Sequence, residues 1–182
     1  HVVAGDDCIV VKTSGGKPCE NVVVSHCTLE TIATAIKLGT ESSGEFRDIR
    51  FEHCTIRNSS VGIGLFMKDG GAMERIQFSD IDLQNYTPRG KANVDHSVFP
   101  IFLDIEKRHE TSPVGRIRDV TFESIRIRSS VNGLIQGMPG GPIENLTLRD
   151  IRFQVVEPID FSQRRERAGG RAAGIRAVSA PD

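Results

Sequence analysis

The sequence has no tryptophan, one tyrosine and no apolar run near the ~20 residues a membrane-crossing helix requires. That last absence excludes a spanning helix. With 18 glycines, the scarcity of large aromatics suits many short strands and turns better than a helical bundle. Charge of one sign is also lacking. A formal net charge of −1 gives no bulk attraction to nucleic acid or to an anionic membrane. The N-terminus lacks the basic-then-apolar layout of a signal peptide, which carries little weight because the chain is expected to begin inside a repeat. Four cysteines, Cys8, Cys19, Cys27 and Cys54, match the spacing of no small disulfide framework. Cys8, Cys27 and Cys54 read as small buried hydrophobes. What remains is 182 residues with 38% hydrophobic content, enough for one domain with a sizeable core.

Five segments share one pattern: polar, apolar, variable, apolar, polar, polar, apolar. They are Asn21 to Cys27, Asp48 to Cys54, Arg75 to Ile81, Asp119 to Ile125 and Asn145 to Ile151. The first apolar positions, 22, 49, 76, 120 and 146, are separated by 27, 27, 44 and 26 residues. A near-constant interval of this size marks a solenoid. Apolar residues two apart give the period of a strand, and no segment is long enough to cover a core alone. Stacking is therefore required, with parallel strands ~4.8 Å apart bonded through the repeats above and below. Ile49, Ile76, Val120 and Leu146 are expected to form one interior row, and Phe51, Phe78, Phe122 and Leu148 the next. A second strand per repeat is visible in Ile9-Val10-Val11, Ala35-Ile36-Lys37-Leu38 and Gly62-Ile63-Gly64-Leu65. Ile9, Ile36 and Ile63 are again 27 apart. The long interval holds about 17 extra residues, and Tyr86 to Pro100 reads as a loop leaving the repeat. After Glu157 the pattern stops, so residues 1–158 are expected to be the repeat domain and 159–182 an irregular, solvated tail.

Gly5-Asp6-Asp7-Cys8-Ile9 sets two carboxylates side by side at the entrance to the first second-type strand. Adjacent carboxylates repel, which divides them into an acid and an ionised partner, as glycoside cleavage requires. The run from Val3 to Lys12, followed by repeats of the Glu20 to Cys27 type, resembles glycoside hydrolase family 28, the polygalacturonases and their relatives. The likeness covers residues 1–157, including Gly137-Met138-Pro139-Gly140-Gly141-Pro142-Ile143-Glu144-Asn145. It implies an all-β right-handed single-stranded parallel β-helix with coils of about 27 residues, and inverting hydrolysis of galacturonan-type bonds. Carried over by motif, Asp6 is the general acid, and Asp7 helps a further aspartate activate water. Inverting geometry sets acid and base ~6.5 to 9.5 Å apart. The family's further aspartate, in an Asn-Thr-Asp motif, is not in this sequence, so the expectation is an N-terminally truncated catalytic domain whose catalytic set is incomplete within these residues.

Two family positions differ. Ala33-Thr34-Ala35 stands for Gly-His-Gly, and Gly64-Leu65-Phe66 for the Arg-Ile-Lys that grips the sugar carboxylate. Repeat register offers Lys37 as a replacement cation, and Lys68 lies two residues beyond the family's lysine. Thr34, Lys37 and Lys68 are thus the candidate substrate-binding residues. These departures point to a divergent branch acting on another uronate or branched pectic glycan. The resemblance further implies no cofactor, a polysaccharide partner, a monomer, and an extracellular or periplasmic setting. His26-Cys27 and His53-Cys54 cannot converge as metal ligands, because neighbours in a strand face opposite sides. His96 and His109, with Asp104 and Glu106, are a further candidate group near the insertion. Two other readings stay open, a polysaccharide lyase on the same scaffold and a non-catalytic glycan-binding β-helix.

Overall fold

The computed structural model describes residues 1–85 and 98–156, together with the backbone of 175–178. Among these residues every regular element is a strand, and every pairing between named strands is parallel. Among the described residues no helix is long and apolar enough to cross a membrane.

The strands form two sheets. One holds β1 (Val2–Ala4), β3 (Cys19–Ser25), β4 (Thr28–Thr31), β6 (Glu45–Glu52), β7 (Thr55–Ser59), β9 (Ala72–Asn85), β11 (Arg116–Ser129) and β13 (Ile143–Val155). The other runs β2 (Ile9–Thr13), β5 (Thr34–Ser42), β8 (Val61–Met67), β10 (Phe99–Ile105), β12 (Gly133–Gln136) and β14 (Ile175–Val178). Each strand pairs with its counterpart in the neighbouring repeat. The expected rows are observed: Val22, Ile49, Ile76, Val120 and Leu146 are cross-strand partners in turn. So are Phe51, Phe78, Phe122 and Leu148 in the first sheet, and Ile9, Ile36 and Ile63 in the second. Apart from the edge members these side chains are buried, and the phenylalanines stack at 5.2 Å (Phe51 on Phe78) and 4.7 Å (Phe78 on Phe122). Leu148, on the edge strand β13, is 40% exposed.

The polar positions of the repeat acquire a physical role. The first and sixth residues of all five segments have left-handed backbone, from Asn21 (φ 59°) and His26 (φ 55°) to Asn145 and Asp150 (both φ 50°). Each segment is therefore bent at both ends. Asn, Asp and His tolerate this region better than other residues with a Cβ, which explains their recurrence there. A glycine row provides a third line of register. A Cβ at Gly44 would strike the Lys17 carbonyl, and one at Gly71 the Gly44 and Ser42 carbonyls, so backbone of successive repeats approaches too closely for any side chain.

Two boundaries differ from expectation. Phe99 and Pro100 belong to β10 and not to the loop, because Phe99 and Ile101 pair with Val61 and Ile63. Proline is tolerated near a strand's start, where no ladder donor is lost further in. In the tail, Ile175–Val178 adds a strand beside β12, whose open edge offers unpaired backbone groups. The remainder of the insertion, residues 86–97 with His96, and the other residues from 157 onward lie outside the described residues.

Candidate functional site

Asp6 and Asp7 lie in the bend between β1 and β2, and the adjacent Cys8 N–H donates to the Thr34 carbonyl at 3.0 Å. The bend is anchored to the next repeat. The Thr31 hydroxyl donates to the Asp6 carbonyl, and the Thr34 N–H donates to Asp7 Oδ1 at 3.0 Å. Asp7 Oδ2 accepts from Lys37 Nζ at 2.6 Å, with side-chain exposures of only 14% and 19%. Both oxygens of Asp7 are thus engaged. Asp6 differs: it is exposed, and its Oδ1 accepts the Asp7 N–H at 2.8 Å. One carboxylate is fixed and the other faces solvent.

This pair edges a cleft of about 360 Å³ on the outer face of the second sheet. Thr34, Lys37 and Lys68 all line it, so the five residues singled out by sequence come together. Lys37 and Lys68 are both neutralised within it, Lys37 by Asp7 and Lys68 by Glu106. Phe66, Phe99 and Phe102 also line it, a group without a local sequence motif. Their signal is visible in retrospect: on β10, Phe102 falls between the core residues Ile101 and Leu103 and must face outward.

Of the secondary candidates, Glu106 lines the cleft, while His109 is exposed in a turn closed by Ser112. Asp104 is 6% exposed, beside Phe66 in the register, and its Oδ1 has no hydrogen-bond partner. Burial, with a smaller contribution from Glu106, pushes its carboxyl up to about 6, partly offset by Lys68. A carboxyl whose folded value is raised favours the fold while protonated. That stability is present at low pH and is lost as pH rises from about 4 through 6. Asp104→Asn is therefore expected to gain about 2–3 kcal/mol at pH 7.5, by the linkage of roughly two pH units at 1.36 kcal/mol each. Denaturant melts of both proteins should converge near pH 4. A constant difference across pH would remove the assignment.

The His-Cys pairs lie elsewhere. His26 stacks on His53 at 4.9 Å, and His53 Nδ1 is 2.7 Å from Asp80 Oδ2. Cys54 instead enters the core, with burial pushing its thiol up. Among the described residues no three His, Cys, Asp or Glu side chains converge as metal ligands would. A larger open groove of about 810 Å³ lies on the first sheet, where Arg75 is paired with Asp48 at 2.7 and 2.8 Å and Asn145 donates to Asp119 at 2.9 Å. Such exposed pairs are structural ladders between repeats. The smaller cleft combines a fixed carboxylate, an open carboxylate and an apolar lining. No family model matches the chain, and no curated protein matches it either.

Proposed function

We propose that the chain is a right-handed single-stranded parallel β-helix and part of an O-glycosyl hydrolase of glycoside hydrolase family 28 type. Its substrate is a pectic or other uronate-containing polysaccharide, which the cleft beside Asp6 and Asp7 binds and cleaves with inversion. The supporting observation is the contrast within the Asp pair. Asp6 is open to a leaving-group oxygen, while Asp7 is held by the Thr34 N–H and by Lys37. General acid catalysis requires a reachable carboxyl and contributes about 10²–10⁴ in rate.

Asp7 shares the base role in this reading with the aspartate of the family's Asn-Thr-Asp motif, which the 182 residues do not contain. Thr34 stands in the histidine position and serves Asp7 through its backbone. Substrate-binding roles for Lys37 and Lys68 require each to exchange or share its carboxylate partner. A polymeric cell-wall substrate places such an enzyme outside the cytoplasm, working as a monomer without a cofactor.

The test is incubation of the protein with pectic polysaccharides and release of reducing ends. Products without ultraviolet absorbance support hydrolysis. Unsaturated, absorbing products would select a lyase instead. Calorimetric glycan binding with blank product assays would select a non-catalytic binding module.

A further inference from the structure

The cleft's aromatic lining is built by a substitution the repeat makes visible. Lys37, Gly64 and Phe102 are successive cross-strand partners on the outer face of the second sheet. A Cβ at Gly64 would collide with the ring of Phe66. Glycine at this position therefore lets the Phe66 ring lie over the sheet. The ring packs against Phe102 with centroids 4.9 Å apart, and Phe99 extends the surface, 5.1 Å from Phe102. Lys37 Nζ stands 5.3 Å from the Phe66 centroid. All three rings are half-buried and border the cleft, whereas their neighbours Leu65, Met67, Ile101 and Leu103 fill the core.

Charge in the cleft argues in the same direction. Its described charged residues are Asp6, Asp7, Glu106, Lys37 and Lys68, an excess of one negative charge. Both lysines already have carboxylate partners. A free sugar carboxylate would have to displace one partner and would meet Asp6 unpaired. An uncharged ring meets neither cost.

Resting on the reading of the cleft as a glycan site, we infer that the Phe66–Phe102 surface is a stacking subsite for an uncharged pyranose. Its C–H face lies on the rings and its hydroxyls reach Asp7 and Lys37. A neutral hexose and a methyl-esterified uronate share this chemistry. Within the proposed polysaccharide, the cleft would select the neutral or esterified residue and disfavour the free acid.

Calorimetry with length-matched oligosaccharides tests it, using free galacturonates, their methyl esters and neutral hexosyl chains. At least one uncharged set should bind about tenfold or more tighter than the free acids, and the stronger of the two identifies the source. Phe102→Ala should weaken that binding about 3- to 10-fold, in line with the worth of an aromatic contact. Phe102→Tyr should restore it, and circular dichroism should show both variants folded. Equal or tighter binding of the free acid, no binding of any uncharged set, or unchanged affinity in folded Phe102→Ala would overturn the inference. Selective binding without any product would leave this subsite standing and remove the hydrolase reading. Turnover of free-acid chains alone would do the reverse.

Discussion

Asp6→Asn, in the proposed role of Asp6 as general acid, is expected to lower glycan hydrolysis about 10²–10⁴-fold while leaving the fold intact, because it removes the proton that role supplies. Two features make this substitution clean. Asp6 is exposed, so no packing is lost, and asparagine keeps the oxygen that accepts the Asp7 N–H at 2.8 Å. Stability should therefore stay within about 0.5 kcal/mol of the parent. If the acid acts only in the transition state, kcat falls and KM stays nearly unchanged. Asp7→Asn would be less informative, since it also breaks the partly buried pair with Lys37. Activity retained in Asp6→Asn, measured as reducing ends released per second, would remove the assignment.

Phe78→Ala is expected to cost about 3–5 kcal/mol, the range for deleting a buried aromatic side chain. Phe78 is fully buried in the middle of three stacked rings, with Phe51 and Phe122 on either side. Its removal cannot be repaired locally, because both neighbours are fixed by their own strands. At roughly 2–4 °C per kcal/mol for a chain of this size, the melting temperature should fall by about 6–20 °C. Val23→Ala is the control, on the outer face of the same sheet and 50% exposed, with an expected change within about 0.5 kcal/mol. A loss below about 1 kcal/mol for Phe78→Ala would contradict the stacked core.

The rows of the sheets were legible because a period of 27 residues sets cross-strand partners without any knowledge of the turns. Val22 with Ile49, Phe51 with Phe78 and Ile9 with Ile36 all pair as the spacing predicts. The corners were not legible as corners. Asp48, His53 and Arg75 read only as polar, and their left-handed backbone follows from how repeats must bend to meet one another. A proline beside a polar insertion looks like loop in the sequence, whereas pairing to β8 makes Phe99 and Pro100 strand. In the cleft, the Asp pair carried a local sequence signal. The phenylalanines did not, since Phe66 and Phe102 are 36 residues apart and meet only through parallel pairing. Repeat register and motif offer Lys37 and Lys68 as substrate-binding cations, with no sign of an ion-pair partner for either. Their partners Asp7 and Glu106 lie 30 and 38 residues away in sequence, beyond what a local motif displays.

The most direct test of the proposed chemistry is proton NMR of the first product released from a glycan chain the protein cleaves. Hydrolysis through Asp6 and an activated water predicts a new reducing end that appears first with inverted anomeric configuration, before mutarotation. A first product of retained configuration, or an unsaturated sugar, would contradict the account.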